Sequence, residues 1–295
     1  MSGQSVSAPP IVLTTDFGTS DAYVGVMKGV ILGINPRATV IDLTHEIAPQ
    51  NLRQGSFILG TNHSYFPIGT IHVAVVDPGV GTDRKPIVLE TPAARFVAPD
   101  NGLLSEVIKG YLATSPAESF GSGRATLPPE LQAHELTNPR YRLSEVSNTF
   151  HGRDIFSPAA AHLSLGIPCE DMGPPVWDVA YAPLPVPEVQ GHILNGEVIY
   201  IDRFGNLITN IEINALSDQR LDLRTARTQV GEREVQGISR TFHDPESADS
   251  IQPDGLQLIV LFGSNGYLEI AETDGHASES LGVGVGTGVR LVCNP

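Results

Sequence analysis

The sequence predicts an α/β N-terminal domain, with a mainly parallel sheet flanked by helices, followed by a small all-β, barrel-like C-terminal domain. Three observations carry this expectation. Short, almost wholly apolar runs at Ile11 to Thr15 and Ile71 to Val76 each end in a carboxylate, Asp16 and Asp77. Such runs suit parallel strands buried on both faces. Between them, apolar residues recur at helical spacing, and strand–helix alternation points to a parallel sheet covered by helices. Beyond a cluster of prolines (174, 175, 183, 185 and 187), short apolar runs are separated by Gly, Asn and Asp, which reads as an all-β domain.

Taken in order, the first strand is Ile11 to Thr15. A helix follows, with Tyr23, Met27, Val30, Ile31 and Ile34 at helical spacing, Ser20 as its N-cap, and Asn35-Pro36 as its stop. A second strand runs near Thr39 to Leu43, a second helix near Asn51 to Tyr65, and a third strand from Ile71. Short strands continue near Ile87 to Leu89 and Phe96 to Ala98, then a helix near Leu103 to Tyr111. Ala113 to Pro129, rich in Ser, Gly and Pro, reads as a loop, and another helix begins near Phe156-Ser157-Pro158. Prolines stiffen a linker, so the domains are expected at 9–180 and 190–295, with the linker around 174–190. In the second domain, strands are expected at Val198 to Ile201, Leu207 to Ile213, Leu256 to Phe262, Tyr267 to Ala271 and Val289 to Val292.

Composition narrows the function classes. At 295 residues, the chain exceeds one ordinary core of about 100–200 residues. A net charge of −15 repels nucleic-acid phosphates and anionic lipid, so neither is expected as a partner. Two cysteines, Cys169 and Cys293, with no CxxC pair, argue against a disulfide framework or a thiolate zinc site. MSGQSVSAPP lacks the basic and apolar regions of a signal peptide, and no apolar run approaches the roughly 18 residues that span a bilayer. These readings predict a cytoplasmic enzyme with a loose N-terminal tail of about eight residues.

In an open sheet of this kind, ligands sit at the C-terminal strand ends, where Asp16 and Asp77 fall. Asp16-Phe17-Gly18 spells a kinase triplet, but the rest of the kinase set is absent, and the alternating glycines from Gly282 to Gly288 do not fit a phosphate loop. Asp77-Pro78-Gly79-Val80-Gly81-Thr82-Asp83-Arg84 runs a buried strand into a carboxylate, a glycine turn and an arginine; an ordinary turn with a surface ion pair explains it equally well. Asn148-Thr149-Phe150-His151-Gly152-Arg153-Asp154 lies just before a helix, and its histidine is catalytic only if it meets Asp77 or Arg84. In Asp202-Arg203-Phe204-Gly205-Asn206, an aromatic and an amide suit a flat heteroaromatic ring, against the plainer reading of a β-turn with one core Phe.

TTDFGTSDAYVG, HEIAPQNLRQG, VVDPGVGTDR, NTFHGRDIFSPAAA, IDRFGNLITN and FGSNGYLEIA occur in this order. Together they closely resemble the S-adenosyl-L-methionine (SAM) hydroxide adenosyltransferases, or SAM hydrolases, relatives of fluorinases and chlorinases. The likeness runs from Ile11 to the C-terminal strands. It implies hydrolysis of SAM to adenosine and L-methionine by attack at C5′, with SAM as substrate and no cofactor or metal. It also implies a homotrimer whose active site lies between the N-terminal domain of one subunit and the C-terminal domain of its neighbour. By the resemblance, Asp77, Arg84 and His151 activate the water, with Phe150 and Gly152 beside them, and Asp16 holds the ribose. Asp202 lies near the methionine amino group, Phe204, Asn206 and Phe242 at the adenine, and Ser264 with Asn265 at the methionine end.

Departures from the halogenases favour water. They carry Tyr and Thr where this chain has Asp77 and Val80, and fluorinases have Ser at Gly152; a carboxylate repels halide and Val80 removes a hydroxyl donor. Asn265 and Glu272 stand where the fluorinase has arginines. The other readings are an adenosyl-halide synthase, a metal-dependent hydrolase using Asp16, His45, Asp77 and His151, and a non-catalytic adenosine or SAM binder.

Overall fold

A computed structural model describes residues 8–112, 123–216, 222–243, 252 and 255–294. It divides into two units, Met1–Pro183 and Leu184–Pro295.

In the first unit, β1 (Ile11–Thr15) leads to α1 (Tyr23–Ile34), β2 (Val40–Thr44), α2 (Leu52–Asn62) and β3 (Ile71–Val75). β4 (Pro86–Glu90), β5 (Arg95–Pro99), α3 (Ser105–Lys109), β6 (Arg124–Thr126) and β7 (Gln132–Glu135) come next. A π-helical turn, Gly152–Phe156, runs into α4 (Ser157–Ser164), followed by β8 (Pro175–Val176) and β9 (Asp178–Ala180). Seven strands form one sheet in the order β2-β1-β3-β5-β4-β7-β8, while β6 and β9 pair separately.

The sheet is mixed, which corrects the mainly parallel expectation. β1 is parallel to β2 and β3, and β3 to β5, but β4 runs antiparallel to both β5 and β7, and β7 to β8. For β4 and β5 the reason is connection length. Only four residues, 91–94, join β4 to β5, and a parallel pair needs a crossover of a dozen or more. The hairpin turn is held by Thr91 N and Oγ1, which both donate to the Ala94 carbonyl.

Side chains alternate across the central strands and fill two cores. Ile11, Leu13, Val73 and Val75 pack with Met27 and Ile31 of α1 and Ala160 and Leu163 of α4. Ala74, Val76, Ile87, Leu89 and Phe96 pack with Leu59 of α2 and Val107 and Ile108 of α3. Two expectations for α1 are corrected here, its cap and its buried stripe. α1 starts at Tyr23 with Ala22 as N-cap and no side-chain cap, so Ser20 lies outside it; its buried stripe is Val24, Met27 and Ile31, and Tyr23 is half exposed. The cap of α2 is Asn51, whose Oδ1 accepts from Gln54 N at 3.0 Å. Of the expected loop at 113–129, residues 113–122 lie outside the described residues, and β6 occupies part of the rest.

His72 is fully buried in β3, its ring stacked on Phe96 at 5.0 Å, and both ring nitrogens lack a hydrogen-bond partner. Burial, with help from His63, pushes its pKa down to about 3. The folded ring therefore stays neutral while the unfolded chain gains a proton below its ordinary pKa of 6.5, so this residue's contribution to stability falls as pH drops from 6.5 toward 3. His72→Phe keeps the stacking surface and removes two unpaired polar atoms, each costing about 1–3 kcal/mol when buried. We expect a higher melting temperature and a flatter stability–pH curve below pH 6.5; a lower melting temperature at pH 5 would contradict this.

The second unit comprises β10 (Glu188–Gln190), β11 (Ile193–Ile201), β12 (Leu207–Glu212), β13 (Asp222–Val230) and β14 (Arg233–Gln236). β15 (Leu258–Phe262), β16 (Tyr267–Glu272), α5 (Ala277–Leu281) and β17 (Gly288–Asn294) complete it. Its antiparallel sheet runs β14-β13-β17-β11-β12-β16-β15, with β10 beside β11. A bridge between Ser239 and Leu261 ties the chain after β14 to β15, so the two ends of the sheet approach, as a barrel requires. Alternate residues Leu258 and Val260, Leu268 and Ile270, and Val289 and Leu291 point into one core. No described helix is long and apolar enough to cross a membrane.

Candidate active site

Asp77 comes one residue after the apolar run of β3, and the chain then turns sharply. Val80 N donates to the Asp77 carbonyl at 3.1 Å, and Thr82 Oγ1 donates to the Gly79 carbonyl at 2.7 Å. The turn brings Arg84 back over Asp77. Arg84 Nε donates to Asp77 Oδ1 at 3.0 Å, and Nη2 donates to Oδ2. The same Nη2 lies 2.6 Å from His151 Nδ1. Three residues separated by 7 and 67 positions thus form one cluster, with the side chains of Asp77 and Arg84 nearly inaccessible. The Arg84 guanidinium also lies over the Phe156 ring, 5.5 Å from its centroid.

His151 caps the π-helical turn, a distortion that recurs at functional sites. Its loop is tied down by Asp154, which is fully buried and accepts from Ser147 N and Ser147 Oγ at 2.8 Å each. Burial would raise the Asp154 pKa, but Arg153 and Ser147 outweigh it and hold the carboxyl ionised below its ordinary value. The two loops touch at Gly81, whose φ is +79° and where a Cβ would stand 2.5 Å from the Asn148 carbonyl oxygen. Gly81→Ala therefore meets both a left-handed backbone and a backbone clash, a strain of order 1–3 kcal/mol. We expect a lower melting temperature together with slower turnover; unchanged values of both would show that the loops do not depend on this contact.

Arginine only donates, so Nδ1 of His151 is the acceptor and the ring proton is assigned to Nε2. The His151 pKa is lowered, first by burial and then by the Arg84 charge, against opposing effects of Asp77 and Asp154. The imidazole is therefore neutral at neutral pH.

Asp77 and His151 line a cleft of about 560 Å³ together with Asp16, Phe150, Gly152 and Val80. Arg84 is not part of its wall and reaches it through Asp77 and His151. Asp16 Oδ2 accepts from Gln50 N at 2.8 Å. Gln50 has φ 64°, uncommon for a residue with a side chain and a mark of local strain. Phe17, Tyr23 and Phe150 form an aromatic cluster on the same wall, with centroids 5.1–5.9 Å apart. Sequence reasoning missed Tyr23, Gln50 and Thr149 as cleft residues. Tyr23 follows helical spacing, but it sits at the first position of α1, where a side chain can turn toward a strand end instead of the core.

His45 does not join the cleft. It is buried, with Nδ1 2.8 Å from Thr15 Oγ1 and Nε2 3.0 Å from Asp42 Oδ1. This separates it from Asp16, Asp77 and His151, the other three residues that a metal-hydrolase reading would combine. Among the described residues, no group of three or more His, Cys, Asp or Glu side chains is placed to hold a metal ion.

The remaining expected residues lie in the second unit. Asp202 heads a turn in which Oδ1 accepts from Phe204 N and Asn206 N, each at 2.9 Å, and Oδ2 accepts from Asn206 Nδ2 at 2.9 Å. Gly205, at φ 84°, rests against the His276 ring, where a Cβ would come within 2.2 Å of Nδ1. The turn leaves Phe204 73% exposed while Asn206 is buried. Phe242 is 44% exposed, and Ser264 and Asn265 sit on the turn between β15 and β16.

Residues 11–173 match the family described as the SAM hydroxide adenosyltransferase N-terminal domain, and residues 196–290 match the corresponding C-terminal domain. The chain is 37% identical over 287 residues to an (R)-S-adenosyl-L-methionine hydrolase of Salinispora arenicola, covering 97% of this chain and 98% of that one. A fluorinase of Actinoplanes sp. is 27% identical over 74% of this chain and 76% of its own. A solved structure of an uncharacterized conserved protein from Thermotoga maritima superposes with a TM-score of 0.81 at 36% identity, covering 96% of this chain and 99% of that one.

Proposed function

This chain belongs to the SAM hydroxide adenosyltransferase family, and from that premise we infer that it hydrolyses S-adenosyl-L-methionine, as the (R)-sulfonium epimer, to adenosine and L-methionine. The observation that carries the reading is the meeting of Asp77, Arg84 and His151 at one cleft.

The residues suit the chemistry. C5′ of the substrate is bonded to a sulfonium, so as the C5′–O bond forms, the C–S electron pair returns to sulfur and neutral methionine leaves without a general acid. The barrier lies with the nucleophile, since water must be aligned behind C5′ and give up a proton. Nδ1 of His151 already accepts from Arg84, so His151 is the donor that orients the water, while Asp77 keeps lone pairs to accept its proton. Arg84 acts from behind the wall, fixing both partners. A carboxylate and Val80 at the nucleophile position disfavour halide.

Asp16 keeps one carboxylate oxygen for the ribose hydroxyls. Phe150 and Gly152 shape the wall, and a Cβ on Gly152 would press on Phe150 and Met27 at 3.2 Å. Exposed Phe204 and Phe242, with the Asn206 amide, offer an adenine surface from the second unit; Ser264 and Asn265 receive the methionine end, with Asp202, whose carboxylate also holds the turn at Phe204 and Asn206, near the methionine amino group. We assign that surface to a neighbouring subunit of a homotrimer, which accounts for large aromatics left in solvent.

Purified protein given SAM is expected to release adenosine and methionine in equal amounts. Release of neither product between pH 6 and 9 would overturn the assignment.

A further inference from the structure

Thr15, His45 and Asp42 are held in line, like a hydroxyl, an imidazole and a carboxylate arranged for nucleophilic hydrolysis. Thr15 Oγ1 is 2.8 Å from His45 Nδ1, and His45 Nε2 is 3.0 Å from Asp42 Oδ1, off the line of a good hydrogen bond, so that contact is mainly electrostatic. Asp42 Oδ2 accepts from Lys28 Nζ at 2.6 Å. Thr15 is completely buried at the end of β1 and does not line the cleft, so its hydroxyl cannot meet a substrate. The line must do something other than nucleophilic catalysis.

Its direction follows from its partners. Burial raises the Asp42 pKa, but Lys28 and His45 together outweigh that and keep the carboxylate ionised. An ionised Asp42 facing Nε2 places the imidazole proton there, leaving Nδ1 to accept from the Thr15 hydroxyl. Thr15 Oγ1 in turn accepts from Phe17 N at 3.2 Å. The backbone of His45 grips the same turn, since Gly18 N donates to the His45 carbonyl at 2.8 Å. Between these two anchors lies Asp16, whose other support, Gln50 N, belongs to the same segment as His45.

We propose that His45 is a positioning residue which, through Thr15 and its own carbonyl, fixes the Asp16-Phe17-Gly18 turn so that Asp16 and Phe17 present a preformed nucleoside end of the cleft. The inference rests on the assignment of Asp16 to the ribose. His45 and Thr15 touch no substrate, and their effect falls on binding more than on the chemical step.

The test uses the full-length protein and two readouts, SAM turnover and adenosine binding by calorimetry. Thr15→Val keeps the branched shape and removes the hydroxyl. It is expected to raise KM and weaken adenosine binding by roughly five- to tenfold, about the net worth of one hydrogen bond, with kcat changed by less than about twofold. Thr15→Ser should restore both. Among His45 variants, His45→Asn supplies an acceptor near the Nδ1 position and should bind adenosine more tightly than His45→Ala. Thr15→Val with wild-type KM and adenosine affinity, or with its loss confined to kcat, would overturn the proposal. If Thr15→Val does not fold, equal adenosine affinities for His45→Asn and His45→Ala would overturn it instead. A wild-type protein that binds adenosine without consuming SAM would count against the hydrolase reading, and the binding arm would still decide this one; a wild type that does neither would overturn both.

Discussion

Asp77→Ala is expected to lower kcat by roughly 10²–10⁴-fold, the usual worth of a positioned base, while adenosine affinity changes by less than about threefold. The separation follows from position. Asp77 sits at the strand end beside His151, whereas the nucleoside is assigned to Asp16 and to the second unit. The substitution also strips a nearly inaccessible guanidinium of its counter-charge, which costs about 3–5 kcal/mol for a buried pair. Asp77→Asn, which keeps an oxygen for Arg84, therefore serves as the better-folded companion and should still lose most of the rate. Equal loss of rate and adenosine affinity in Asp77→Asn would remove Asp77 from the chemical step.

Arg84 is expected to be nearly as sensitive, for a different reason. One planar guanidinium holds both oxygens of Asp77 and Nδ1 of His151, a three-way grip that the single ammonium of lysine cannot reproduce. Arg84→Lys should lose about 10²-fold in kcat, comparable to other misplacements at a reacting centre. Arg84→Met additionally removes a charge that lowers the His151 pKa. In the wild type, kcat/KM should hold as pH falls through 6.5 and decline only below it, as His151 gains a proton. In Arg84→Met that decline should begin at higher pH. A wild-type decline centred above pH 6.5, or one that Arg84→Met does not move, would contradict the assigned pairing.

Much of this was legible in the sequence wherever one physical signal dominated. β1 and β3 are covered on both faces and read as continuous apolar runs ending in carboxylates. In the second unit, β12, β15, β16 and β17 fell where expected because their inward residues alternate. β13 was missed since its buried Ala226, Thr228 and Val230 are small or polar and their neighbours include two arginines. β7, β8 and β9 were hidden by polar residues and prolines, which belong at sheet margins. Strand direction was the larger error: apolar content reports burial, and only the short link between β4 and β5 reports that they run antiparallel.

The site was legible as segments and not as a constellation. Asp77 and Arg84 share one turn, so their pairing was foreseeable from local chemistry. His151 reaches them across 67 residues, a closure that spacing cannot reveal and that only the resemblance implied. The support around the turn after β1 was not legible at all. His45 and Gln50 act through a buried ring and a left-handed backbone, and neither feature has a sequence signature.

The most direct measurement is turnover of SAM in ¹⁸O-labelled water, with both products examined by mass spectrometry. Attack of water at C5′ places one ¹⁸O in the 5′-hydroxyl of adenosine and none in methionine. Adenosine without label, label in methionine, or a 5′-halogenated nucleoside in place of adenosine would contradict the account.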